Sequence, residues 1–173
     1  MNTPDITLII TNWNGRELLL ECMPSVLKSV AYDKKRSYEI MVVDDCSSDD
    51  SLEILAQEFP TIRAEKTPVN YGFHGANNFG ASLSRSRLIM PMNNDIKLDE
   101  DALFHLAEHF EGDKETFLSA GNSTPLTEPH FFMATEAAIS ATGISTFTKK
   151  NLTTPAKPFL PVVVPLWLTG KGI

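Results

Sequence analysis

The run Ile6-Thr7-Leu8-Ile9-Ile10, followed by Thr11-Asn12-Trp13-Asn14-Gly15, decides how the rest of the chain is read. Four aliphatic residues and a β-branched threonine with no polar alternation suit a strand covered on both faces. The polar residues and glycine behind it end the strand. From Arg16 to about Val30 the residues Leu19, Leu20, Met23, Val26 and Leu27 recur at helical spacing, and Pro24 is expected to kink or divide that helix. Tyr38–Val43 (YEIMVV) repeats the buried-strand pattern. Ser51-Leu52-Glu53-Ile54-Leu55 opens a second helix, with Ser48 or Asp49 as its N-cap. Thr61-Ile62-Arg63-Ala64 reads as a weak third strand, Gly75 to Ser86 as a helix of small residues, and Arg87–Met92 as a fourth strand. Asp99–Phe110 is expected to be a helix led by acids that favour its dipole. Thr116–Ala120 and Val162–Leu168 read as two further strands.

Strands alternating with helices imply crossover units and an α/β sandwich, Rossmann-like, with a mostly parallel central sheet. Such sheets bind ligands outside the carboxyl ends of their strands. Thr11, Asn12, Trp13 and Asn14 stand after the first strand, Asp44 and Asp45 after the second, and Asn93, Asn94 and Asp95 after the fourth. A strand-end carboxylate accepts hydrogen bonds from a base or a ribose. A carboxylate flanked by amides holds a divalent metal together with substrate phosphates. Trp13 offers an aromatic face to a planar ring. Taken singly, each cluster has an ordinary structural reading, as a helix cap or a solvated turn. Their coincidence at successive strand ends points to a site.

Composition narrows the class further. With 173 residues and 42% hydrophobic content, the chain is long enough for a domain with a real core. The net charge of −7 argues against nonspecific nucleic-acid binding, which needs a basic surface. Cys22 and Cys46 make no disulfide framework and read as free thiols in a reducing compartment. No secretory signal is visible after Met1, and Phe159–Leu168 is too short and proline-broken to cross a bilayer. The expectation is therefore a cytoplasmic protein with no transmembrane segment. Peripheral contact with the inner face of the membrane stays open. All 22 acids lie at or before Glu136, whereas four of the eleven prolines (Pro155, Pro158, Pro161 and Pro165) and four lysines fall in the acid-free tail.

Four ordered blocks resemble a known family. They are Ile9-Ile10-Thr11-Asn12-Trp13-Asn14-Gly15, Val42-Val43-Asp44-Asp45-Cys46-Ser47-Ser48-Asp49-Asp50-Ser51, Asn70-Tyr71-Gly72-Phe73-His74-Gly75-Ala76-Asn77-Asn78-Phe79-Gly80, and Met92-Asn93-Asn94-Asp95. Together they look like the family 2 glycosyltransferases of GT-A fold, closest to the rhamnosyltransferase-like branch. The resemblance implies a UDP- or dTDP-linked sugar donor, Mg2+ or Mn2+, and transfer with inversion to the hydroxyl of a glycan or lipid-linked acceptor, as in cell-surface polysaccharide synthesis. Carried over by position, Thr11, Asn12, Trp13 and Asn14 line the nucleoside pocket. Asp44 and Asp45 include the carboxylate that reads base and ribose. Asn70, Gly75 and Asn78 lie near the donor. Asn94 belongs to the donor site, and Asp95 is the metal ligand. Cys46 stands where the family commonly has glycine, and no chemistry is expected of it.

The resemblance also implies a general base on an acid that follows a tryptophan–glycine segment. Trp167-Leu168-Thr169-Gly170 looks like that segment, but no acid follows Glu136, so the base is expected beyond Ile173. Residues 1–173 then read as one domain, with 1–121 as the donor-binding part and 122–173 as the start of an incomplete acceptor part, because α/β domains of this kind reach roughly 200–250 residues.

Two other classes stay open. One is a non-catalytic nucleotide-sugar-binding module, told apart by donor binding without turnover. The other is a receiver-type signalling domain, where paired acids also gather Mg2+; it calls for a lysine at a fifth strand end, and none stands there convincingly. A dehydrogenase is disfavoured because no GxGxxG follows the first strand. His105 and His109 are read as a surface pair, and Leu103, Leu106, Ala107 and Phe110 as a core stripe.

Overall fold

A computed structural model describes residues 3–111 and the strand segments 116–121, 124–125 and 144–148. Strands β1 (Ile6–Asn12), β2 (Tyr38–Asp44), β3 (Arg63–Lys66) and β4 (Leu88–Asn93) form a parallel sheet in the order β3-β2-β1-β4. Helices α1 (Arg16–Tyr32), α2 (Ser51–Glu58) and α3 (Gly72–Leu83) are the crossovers. The short β5 (Ile96–Lys97) and α4 (Ala102–Glu108) follow. Strands β6 (Thr116–Gly121), β7 (Thr124–Pro125) and β8 (Ile144–Thr148) make two antiparallel pairs, β5 with β7 and β6 with β8. The chain steps outward from β1 to β2 and β3, and α3 then returns it to the far side of β1. That reversal lies between β1 and β4. Sheets of this kind hold ligands in the crevice outside the strand ends at such a point.

All seven residues of β1 are buried, as its unbroken apolar run requires. Because successive side chains face opposite ways, the sheet has two cores. Ile6, Leu8, Ile10, Ile40, Val42 and Met90 pack with Leu19, Met23 and Val26 of α1, Leu55 of α2 and Leu103 and Leu106 of α4. Ile9, Met41, Val43 and Ile89 pack on the other side with Ala76 and Phe79 of α3. Each fully buried aliphatic side chain contributes about 1.5–3 kcal/mol relative to exposure.

Gly80 sets how closely α3 lies on the sheet. A Cβ there would stand 2.8 Å from the Cγ2 atoms of both Ile9 and Val43. Both are fully buried and have no room to withdraw in a close-packed core. Gly80→Ala is therefore expected to destabilise the fold by about 1–3 kcal/mol despite alanine's better helix propensity. Urea unfolding would show it as a lower midpoint at unchanged slope.

Several sequence-level expectations shift. β1 continues through Thr11 and Asn12, which are thus strand residues and not part of the turn. α1 runs unbroken through Pro24. Pro24 lies on the exposed side, while Leu19, Cys22, Met23 and Val26 anchor the opposite side on both flanks of it. The residue in the N-cap position of α2 is Asp50, although Asp49 Oδ1 accepts the hydrogen bonds from the Ser51 amide (3.2 Å) and hydroxyl (2.6 Å). β3 begins two residues later than read, α3 begins at Gly72, and α4 spans only Ala102–Glu108, so Asp99 and Glu100 precede its first turn. The core stripe of Leu103, Leu106, Ala107 and Phe110 is buried as expected. Val162–Leu168 lies outside the described residues.

Candidate functional site

The three strand-end clusters meet in one hydrogen-bonded chain. Asn12 Nδ2 donates to Asp44 Oδ1 at 2.9 Å, and Asn94 Nδ2 donates to Asn12 Oδ1 at 2.7 Å. This links the ends of β2 and β1 to the turn after β4. The register explains it, because Asn12 lies beside Asp44 on β2, and Thr11 lies beside Asn93 on β4. Asn12 is 2% exposed and Asp44 fully buried. A second acceptor on Asp44, Oδ2, receives the Ser47 amide at 3.0 Å and faces Lys66 Nζ at 3.9 Å. Gly15 packs against the chain from the side. A Cβ on it would overlap Asn94 Nδ2 and stand 2.6 Å from Asn12 Oδ1.

Asp45, also buried, ties the next loop to the same edge. Its Oδ1 accepts from Thr67 Oγ1 at 2.9 Å and from the Tyr71 amide at 2.8 Å. Asn14 fastens the loop after β2. Its Oδ1 accepts from the Ser48 amide (2.8 Å), and its own amide donates to Ser47 Oγ (2.8 Å). Asn14 and Cys46 both adopt left-handed backbone, with φ of 48° and 61°. Cys46 thus occupies a position where glycine is free of strain, which matches the glycine common there in the resembling family. Trp13 is 62% exposed beside this edge.

Asn70 is exposed, and its Oδ1 accepts the Gly72 amide at 3.0 Å to start α3. Gly75 is half-buried, and the place of its absent Cβ lies 2.5 Å from Tyr71 Cβ. Asn78 is exposed on α3. The sequence reading missed Ser47, Lys66, Thr67 and Tyr71. Lys66 and Thr67 stand at the end of β3, which was placed two residues too early, so their strand-end position did not show.

The Asn93-Asn94-Asp95 turn has open acceptors. Among the described residues, Asn93 Oδ1 and Asp95 Oδ1 are buried and find no hydrogen-bond partner. Buried oxygens without donors suit a cation. Among the described residues no three His, Cys, Asp or Glu side chains gather into a metal cluster. Asp95 with its flanking amides is a donor set that suits a Mg2+-like ion held by one carboxylate. Cys22 does not join it: burial, with the Asp95 carboxylate as a second cause, pushes its thiol up to about 12. His105 is half-exposed and pairs with Asp101 at 3.3 Å. Among the described residues no helix is long and apolar enough to cross a membrane.

The sequence model of glycosyl transferase family 2 matches residues 7–160. The succinoglycan biosynthesis protein ExoO of Rhizobium meliloti (strain 1021) is 28% identical over 106 residues, which cover 61% of this chain and 29% of ExoO. The chain thus spans under a third of that relative's length. The crystal structure of S. aureus TarS 1-349 in complex with UDP superposes with a TM-score of 0.53 at 19% identity, over 62% of this chain and 32% of TarS. Mannosyltransferase PcManGT from Pyrobaculum calidifontis, in complex with GDP-Man and Mn2+, gives 0.57 at 17% identity, over 70% of this chain and 36% of that one. At these identities the two structures speak for the fold. A parallel sheet with its reversal at β1/β4, matched by that family over most of the chain's length, makes this chain a member of glycosyl transferase family 2 with the GT-A fold.

Proposed function

We propose that the chain binds a nucleotide-diphosphate sugar, UDP- or dTDP-linked, at the crevice outside β1, β2 and β4. In this reading, residues 1–121 form the donor-binding part of a glycosyltransferase, and 122–173 begin its acceptor part. The sugar passes with inversion to a hydroxyl of a glycan or lipid-linked acceptor, in polysaccharide synthesis. The observation that carries the reading is the Asp44–Asn12–Asn94 chain, which draws three polar strand ends into one site. TarS with UDP and PcManGT with GDP-Man and Mn2+ support a nucleotide-linked donor. The NWN and NND blocks favour the rhamnosyltransferase-like branch. Two free cysteines suit the cytoplasm.

Each residue has a role in this reading. Trp13 and Thr11 flank the nucleoside, and Asp45 accepts from its base or ribose. Asn14 shapes the loop that borders them, while Asn70, Gly75 and Asn78 line the α3 side. Asp95 holds Mg2+ or Mn2+, with Asn93 and Asn94 beside it. When bound, the ion supplies positive charge against the departing diphosphate. Lys66 adds a fixed cation near Asp44 and so eases the approach of an anionic donor to an acidic edge.

Calorimetry with UDP and dTDP tests the reading. Wild type should bind one of them, and more tightly with Mn2+. Asp95→Ala should remove roughly tenfold of that tightening, the scale of one charged contact. Asp45→Ala should weaken binding with and without metal. Absence of binding would sink the proposal, and binding indifferent to both Mn2+ and Asp95 would sink its metal part. If Asp44→Ala alone weakened metal-free binding, the nucleoside contact would belong to Asp44 and not to Asp45.

A further inference from the structure

We infer that Asp44 is a positioning residue that sets, through Asn12, which atom of Asn94 the metal-side turn presents to the donor; this rests on the proposed donor site. A side-chain amide is nearly symmetric in shape, so its neighbours decide which end carries oxygen. At the buried end of the chain, Oδ2 of Asp44 faces two donors, the Ser47 amide at 3.0 Å and the Lys66 ammonium at 3.9 Å. A carboxylate has only acceptors to offer, so Asn12 must turn Nδ2 to Asp44 Oδ1, as it does at 2.9 Å. Asn12 Oδ1 then faces Asn94 and can only accept. Asn94 answers with Nδ2 at 2.7 Å, and among the described residues no donor meets its own Oδ1, which is the amide atom left to meet a ligand. Water cannot relax this order, because Asn12 is 2% exposed and Gly15 closes the flank. The charge of Asp44 is thus expressed two residues away, as an acceptor on the turn that carries Asp95.

Asp44→Asn should reverse the whole order. Ser47 and Lys66 claim the new amide's oxygen, so its NH2 group faces Asn12. Asn12 then turns its oxygen to position 44 and its NH2 to Asn94. Asn94 turns its oxygen inward and its NH2 outward, where a cation or an anionic oxygen meets the wrong partner.

Two measurements test this. In nucleotide-free wild type, hydrogen exchange followed by NMR should find the side-chain NH2 protons of Asn94 protected. In Asp44→Asn they should exchange fast while those of Asn12 stay protected. In calorimetry with UDP, Asp44→Asn should lose roughly tenfold of the Mn2+-dependent tightening, over and above any loss it shows without metal. Asn94→Ala should show the same split, and the double variant should be no weaker than either single one, because the residues act in series. A merely structural role for Asp44 predicts equal losses with and without Mn2+, and that result overturns the inference, as does protection of Asn94 that survives Asp44→Asn. Should Asp44→Asn fail to fold, Asn94→Ala decides, since equal loss in both arms refutes the relay. If wild type binds no nucleotide at all, the proposed function fails, and amide exchange still decides the polarity of the relay.

Discussion

Asp33→Ala is expected to lower the unfolding free energy by about 3 kcal/mol, as a shift of the urea midpoint would report. Asp33 follows α1 at its C-cap, and its carboxylate is wholly buried. It accepts from Tyr38 Oη at 2.7 Å, Arg36 Nη1 at 2.6 Å and the Lys35 amide at 2.9 Å. Arg36 is itself only 7% exposed in its side chain, and its other nitrogen meets Glu111 at 2.6 Å. Removing Asp33 strands a buried guanidinium, a Tyr hydroxyl and a backbone amide. Breaking a buried pair from one side costs about 3–5 kcal/mol, and the lower value applies because Glu111 still faces Arg36. The nearby Lys35–Glu108 pair at 2.7 Å is exposed on both sides, and its removal should matter little.

The same carboxyl predicts a pH dependence. Burial alone would raise it, but the hydrogen bonds from Tyr38, Arg36 and Lys35 hold it below the ordinary aspartate value of 3.8. A carboxyl depressed in the folded state contributes stability above its unfolded pKa and loses it as pH falls through the folded value. The gap in midpoint between wild type and Asp33→Asn should therefore be full at neutral pH and shrink below about pH 4. A gap unchanged from neutral pH into that acid range would count against this account.

Gly15→Ala should lose roughly tenfold in affinity for UDP with Mn2+, the equivalent of about 1.4 kcal/mol. Gly15 is buried at the N-cap of α1, where φ is −120°, so no left-handed backbone demands a glycine. Its reason is space. An added Cβ would overlap Asn94 Nδ2 and sit 2.6 Å from Asn12 Oδ1, at the hydrogen bond that joins β1 to the turn after β4. The backbone cannot yield cheaply, because Gly15 O also accepts the first helical bond of α1, from Leu19 N at 2.9 Å. Asn94 must leave, and the acceptor it presents beside Asp95 leaves with it. Calorimetry on Gly15→Ala, with circular dichroism to confirm the fold, checks this. An affinity within a few-fold of wild type would show that the donor does not depend on the Asn12–Asn94 contact.

Three strands of the parallel core, β1, β2 and β4, were legible because they announce themselves by burial on both faces. Ile6–Ile10 and Tyr38–Val43 have no polar alternation, and only a sheet covered by helices on each side accommodates them. The polar clusters behind them were legible for the same reason: a polar run after a buried strand marks its end. β3 was read two residues early because Arg63, Glu65 and Lys66 make it an exposed edge with no apolar run. Lys66 and Thr67, the residues it delivers to the site, went unseen with it. The continuity of α1 through Pro24 was not legible either, since packing of one side overrides local propensity.

By itself the sequence determined the fold class, the helices and strands of the first half, and which polar residues stand at strand ends, because each follows from periodicity along a single segment. It also determined the family blocks. Only the tertiary structure decided how those residues are used. Asp44 and Asp45 are neighbours in sequence, yet one joins Asn12 and Asn94 and the other joins Thr67 and Tyr71. That division depends on strand order and register, which place 12 beside 44 and 11 beside 93 across the β1/β4 reversal. Side-chain polarity, too, is set by three-dimensional neighbours, since which end of an amide carries the oxygen is decided by what faces it.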